Sequence, residues 1–294
     1  MKLGTGCESW RGLLRQGNGK GRIMNLRVIL YCLVGGICFM TPWLSSAHSG
    51  WALPAGLLVA VAFVPVARCG PSGWLKQFGA IVLALVVVGL VCTLTEGMLF
   101  VPEVKSQIGM MLGGGTLFYV VAAAVLATLS RLLKLTEPGG EQVAHRTGLM
   151  AVAMLAVSGI AYAVYYFVFG SIAFQAYTKQ FYPHAVEQAA AMGVWFWVYQ
   201  FGRGLIMTAA VLPVIYHLRL PRWQAALAVG ALLWIVGGGA ALLVPSPTFV
   251  TAQRYAHILE IMTQNVSLGV TAVWLLRPKA TMAPESFQAA TAAK

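Results

Sequence analysis

Apolar residues come in eight long runs, each closed by a short polar or basic stretch. The runs lie near residues 28–46, 51–68, 78–100, 108–130, 147–170, 191–216, 223–245 and 255–276. Each is long enough for a helix to cross the ~30 Å hydrocarbon core, which takes about 20 residues at 1.5 Å each. No alternation of period two marks strands. The pattern predicts an all-α, polytopic transmembrane helical bundle of eight spans. Its domains read as a basic cytoplasmic tail over 1–25, the eight-helix bundle over 26–278 and a short cytoplasmic tail over 279–294.

Composition agrees. Of the 294 residues 59% are hydrophobic and only 10% are charged, against about 25% charged in soluble domains. The net charge of +12 does not point to nucleic acid, because the basic residues sit at the ends of apolar runs and not on one soluble face. With the N-terminus inside, the cytoplasmic stretches hold sixteen Lys and Arg, including Arg68, Lys76, Arg131, Lys134, Arg146, Arg219, Arg222 and Arg277. The opposite side holds three: Lys105, Lys179 and Arg254. That bias predicts both termini in the cytoplasm and an even number of spans. The first run has a second reading. Its basic flank and Ser45-Ser46-Ala47 resemble a signal peptide with a small-residue cleavage site. Met24, just before the run, could also be where translation starts.

Small residues mark expected close helix packing at Gly35-Gly36, Gly113-Gly114-Gly115, Gly202-x-Gly204 and Gly237-Gly238-Gly239. The external connection 171–190 has Phe174, Tyr177 and Phe181 on one helical face, which predicts a short helix lying in the interface. The five cysteines form no Cys-x-x-Cys pair and are expected to be reduced, without a disulfide framework or a zinc site.

Candidate chemistry enters where polar residues interrupt apolar runs. Arg203 lies in the middle of the sixth run, and Glu96 lies near the outer end of the third. The eighth opens with Arg254, His257, Glu260, Gln264 and Asn265. An unpaired charge inside a bilayer costs at least ~2.5 kcal/mol, so such residues pair and are used. On the sixth helix Met192, Phe196, Tyr199 and Arg203 share a face. Arg254, His257, Glu260 and Gln264 share one on the eighth. The two faces are expected to meet, with Arg203 pairing with Glu260. Arg203, Glu260, His257, Glu96, Asn265, Arg254 and Tyr199 are then the residues of an outward-facing polar pocket.

A metal site is the second arrangement. Tyr182-x-His184-x-x-Glu187 and Tyr255-x-His257-x-x-Glu260 repeat one pattern, and His with Glu at i, i+3 can ligate a metal from one helix. His184, Glu187, His257 and Glu260 would take iron, manganese or zinc. The spacing is the reverse of the usual Glu-x-x-His. No other cofactor is indicated. The chain has no Asp, which excludes a Ser-His-Asp triad and Asp-rich prenyltransferase motifs.

From Pro245 to Leu276 the chain has Pro, Arg-x-x-His-x-x-Glu, Asn-x-x-x-Gly and Trp-Leu-Leu. With Arg203 and Thr95-Glu96 this resembles a loose group of uncharacterised bacterial multi-pass integral membrane proteins. The resemblance implies a bacterial inner membrane and no activity. The expected function is a transporter-like pocket for a small solute or ion. Two alternatives stand beside it: a membrane-embedded metal-binding enzyme or redox subunit, and a structural or assembly subunit of a membrane complex. The expected partners are the lipid bilayer and a small solute or ion, together with other chains of a complex or copies of itself.

Overall fold

The computed structural model describes residues 19–43, 49–100, 102–136, 143–182, 184–245 and 249–278. The N-terminal residues before 19, Ser45-Ser46-Ala47, Pro183 and the residues after 278 lie outside these. The elements are helical throughout. In chain order they are α1 (Gly19–Met40), α2 (Ala52–Ala62), α3 (Val64–Cys69), α4 (Trp74–Val82), α5 (Thr93–Phe100), α6 (Pro102–Leu132), α7 (Gly148–Ala173), α8 (Ala185–Met192), α9 (Val194–Ala210), α10 (Leu212–His217), α11 (Arg222–Trp234) and α12 (Thr251–Leu276).

Among the described residues, seven helical stretches are long and apolar enough to cross a membrane. They are Ile23–Met40, Ala52–Cys69, Trp74–Leu99, Val104–Leu132, Gly148–Phe181, Val194–His217 and Thr251–Leu276. Two of them bend where proline removes an N–H and crowds the preceding turn. Pro65 opens α3 after Phe63, and Pro213 opens α10 after Val211. The third is α4 and α5 joined by a wide i→i+5 turn region over Leu83–Cys92.

The run predicted as a seventh span is not one long helix. α11 gives way to a wide turn over Ile235–Gly239, and a tight turn follows at Ala241–Leu243. Gly238 sits at φ +137°, a backbone state only glycine adopts without strain. The triple glycine therefore breaks the helix. Trp234 Nε1 and Asn265 Nδ2 hold the break on α12, donating to the carbonyls of Ile258 (3.2 Å) and Leu233 (3.0 Å).

Helices cross where side chains are smallest. A Cβ on Gly56 would strike the Gly36 carbonyl of α1, one on Gly204 would strike Tyr162 of α7, and one on Gly269 would strike the Gly230 backbone of α11. Gly113, Gly114 and Gly202, by contrast, have open space around them. The core between the helices holds Tyr31, Phe63, Ile81, Leu85, Leu126, Met207, Ile215, Leu232 and Leu268. The outward faces are also apolar: Leu26, Ile29, Leu33, Leu117, Leu149, Val152, Ile160 and Val164 are exposed. Such faces suit lipid and not water.

The two ends of the bundle differ. At one, arginines cap helix C-termini. Arg277 donates to the Leu218 and Leu220 carbonyls, Arg146 to Leu275, and Arg222 to Trp274. At the other, Arg254 Nη1 donates to the Leu242 and Leu243 carbonyls, both at 3.1 Å. The connection after α7 continues it through a wide turn at Phe174–Thr178 and a tight one at Lys179–Phe181. The short helix α8 then ends at Gly193 (φ +54°). Cys32, Cys38 and Cys92 are free thiols. Cys69 is disulfide-bonded, which corrects the expectation that every cysteine is reduced.

Candidate functional site

α9 carries polar residues on the side it buries. Gln200, Arg203, Gly204, Met207 and Thr208 recur at three and four positions and are all buried. Arg203 would be costly there alone. Its Nη2 lies 2.6 Å from Oε2 of Glu96, with side-chain exposures of 4% for the arginine and 24% for the glutamate. The wide turn at Leu83–Cys92 ends about one helical turn before Glu96. Thr95 Oγ1 spends its proton on the Val91 carbonyl (2.8 Å) and accepts one from Tyr199 Oη (3.1 Å). Tyr199 thereby ties α9 to α5 beside the ion pair.

The expected partner of Arg203 was Glu260, and the structure gives it Glu96. Both polar faces meet α7, which packs against α9 and α12: Arg203 reaches it at Tyr162 and Glu260 at Gly170, about two turns further along. Gly159 of α7 receives Phe201 of α9, and Gly170 of α7 receives the Glu260 carboxylate of α12; a Cβ there would sit 3.2 Å from Glu260 Oε1.

Around Arg203 several buried polar atoms have no partner: Nε and Nη1 of Arg203, both amide atoms of Gln200, and the Tyr162 hydroxyl. Gln200 and Tyr162 are 0% exposed. The guanidinium carbon stands 5.5 Å from the centre of the Tyr162 ring, within the range of a cation–π contact. Buried polar groups are nearly always satisfied, so this concentration points to a ligand or ordered water.

The second polar group is a chain along α12. His257 Nδ1 lies 2.9 Å from Glu260 Oε2, and Gln264 Nε2 donates to Glu260 Oε1 at 3.1 Å. A carboxylate can only accept, so Nδ1 carries a proton. In the neutral imidazole Nε2 then accepts from Tyr182 Oη at 2.9 Å. The Tyr182 phenol is pushed up to about 12, by burial first; Glu260 and Glu96 add to the rise and a hydrogen bond with Gln253 opposes it. Tyr166 of α7 lies within electrostatic reach of Glu96, Arg203 and Glu260.

The remaining predicted residues have other places. Arg254 caps the Ala241–Leu243 turn, and Asn265 holds the break after α11. His184 and Glu187 pair with each other at 3.1 Å, at 73% and 77% side-chain exposure. Among the described residues no three His, Cys or Glu side chains gather as a metal site. Sequence reasoning passed over Tyr162 and Tyr166, because a tyrosine inside an apolar run reads as core or interface. It passed over Gly170 as well, since no neighbouring residue signals that a carboxylate presses on it. No family model, curated protein or solved structure matches this chain.

Proposed function

We propose that this chain crosses a bacterial inner membrane eight times, with both termini in the cytoplasm, and binds a small solute or ion in a polar site opening outward. α11 and the broken stretch after it make the seventh crossing. They run from Arg222, at the arginine-capped end, to Leu243, at the Arg254 end. The arginine-capped end is the basic one and belongs inside. The Glu96–Arg203 pair and the Tyr182–His257–Glu260 chain then lie toward the outer end. The observation that carries the reading is Arg203 itself. It is buried among apolar helices and spends one nitrogen on Glu96, while two others lack partners. Arg222 and Arg254, which cap backbone carbonyls, each leave one nitrogen without a partner, and Arg203 leaves two beside the unpartnered Gln200 and Tyr162.

Thermal stabilisation of the purified protein, screened against amino acids, carboxylates, sugars and inorganic ions, tests this. At least one solute is expected to raise the melting temperature of wild type but not of Arg203→Lys, and to enter proteoliposomes only with wild type. If no solute stabilises wild type, the pair is a packing device and the chain is better read as a subunit of a membrane complex.

A further inference from the structure

We infer that the ligand of this site is a small oxyanion, a carboxylate before others, which takes Arg203 from Glu96 while Glu96 leaves as the neutral acid. This rests on the pocket reading above and names its ligand class. The unpartnered atoms are mostly donors. Arg203 Nε and Nη1, Gln200 Nε2 and the Tyr162 hydroxyl can all donate, and Gln200 Oε1 is the one atom that can only accept. A donor-rich, buried guanidinium is the group that recognises a carboxylate or phosphate oxygen pair.

Arg203, however, already has a countercharge. Glu96 is the more exposed member, 24% against 4%, so an incoming anion meets the carboxylate first and the guanidinium behind it. Adding an anion to a neutral pair would leave one net negative charge in a low-dielectric site. Among the described residues, Arg203 is the one cation whose charge is felt by the groups around this site. Glu96 is faced by Arg203 and Tyr199 from α9, by Tyr162 and Tyr166 from α7 and by Cys92 of its own span. Glu260, hydrogen-bonded to His257, is a further carboxylate within reach of Tyr166, and Tyr182 feels both carboxylates. Neutrality is kept when a proton arrives with the anion. The ionised pair, the anion and one proton become a protonated Glu96 beside an Arg203–anion pair, and no covalent bond to carbon changes. A lipid phosphate headgroup offers the same oxyanion chemistry as a free solute.

The test uses the full chain in nanodiscs of neutral phosphatidylcholine. Acetate, benzoate and short-chain phosphatidylglycerol are titrated calorimetrically in buffers of different ionisation enthalpy, which counts protons. A free carboxylate is expected to bind with uptake of one proton, and its affinity should fall about tenfold per pH unit as pH rises, since proton and anion binding are linked. Glu96→Gln should bind the same anion with no proton uptake and no pH slope, and the anion should raise its melting temperature. Arg203→Gln should lose binding at least tenfold. Binding of the phospholipid alone, with the same proton count, supports the site and makes the headgroup its ligand. Binding without proton uptake in wild type overturns the exchange. Silence of all three probes in both wild type and Glu96→Gln overturns the oxyanion. The pocket reading survives that result if a neutral solute stabilises wild type in the screen, and falls with it if none does.

Discussion

Replacing Glu96 with Gln should destabilise the folded bundle by about 3–4 kcal/mol, because it leaves Arg203 charged and without a counterion. The size follows from the two exposures. The N···O contact of 2.6 Å puts the charge centres ~4 Å apart, worth ~4 kcal/mol at an effective dielectric of 20. Arg203 is only 4% exposed, so little water replaces the lost partner, and breaking a buried pair from one side typically costs ~3–5 kcal/mol. The reverse deletion should be milder. Arg203→Met leaves Glu96, which is 24% exposed and can shed its charge by protonation, at about 2 kcal/mol. The double variant carries no stranded charge and should cost about 2 kcal/mol, which makes the coupling about 3–4 kcal/mol by a double-mutant cycle. Reversible unfolding in mixed micelles, titrated with a denaturing detergent, reads these differences. Glu260→Gln serves as the control, since Glu260 bonds His257 and Gln264. Its coupling to Arg203→Met should stay below about 0.5 kcal/mol. A coupling under about 1 kcal/mol for the Glu96 cycle, or a larger one for the Glu260 cycle, would refute the assignment of the pair.

Three other perturbations test neighbouring parts. Gly269→Leu should abolish folding, because its Cβ would strike the Gly230 backbone, while Gly113→Leu should be tolerated, because nothing lies within 4 Å of that position; yield of monodisperse protein on gel filtration separates the two. Asn265→Leu removes the donor to the Leu233 carbonyl and should cost about 1–3 kcal/mol through that buried acceptor, measured in the same unfolding assay. Tyr182 has a phenol pushed from 10.0 up to about 12. Its protonated form is therefore favoured by folding: this contribution is fully present below pH 10 and is lost as pH rises toward 12. Tyr182→Phe should flatten the decline of melting temperature in that window, and an unchanged decline would show that the phenol does not report on folding.

The runs of apolar residues were enough to locate the helices, since a span must be both long and apolar. They could not say which run stays helical. Residues 223–245 are as apolar as their neighbours, yet Gly238 turns the chain there, with Gly237 and Gly239 packed close to the Asn265 and Trp234 side chains. The same residue type at Gly56, Gly204 and Gly269 does what a small residue in lipid is expected to do. What separates the cases is the backbone angle at Gly238, which depends on Asn265 and Trp234 holding the turn from outside. Neither contact has a local signature.

The site divides in the same way. Arg203, Glu96, His257 and Glu260 stand out in the sequence because charge inside an apolar run is expensive. Who pairs with whom depends on where along its length each helix meets its neighbours, and periodicity along one helix carries no information about that. The repeated Tyr-x-His-x-x-Glu pattern shows the consequence. Read as two equivalent ligand sets it suggests a metal, but His184 and Glu187 point into solvent while Tyr182 of the first copy bonds His257 of the second. The pattern therefore contributes one phenol and one His–Glu pair to a single polar chain. With Glu260 engaged in that chain, Arg203 has Glu96 as its counterion, and the unsatisfied donors cluster at Arg203 and not at His257. A ligand should accordingly be felt first by substitutions on α5 and α9 and at Tyr162 of α7, before those on α12.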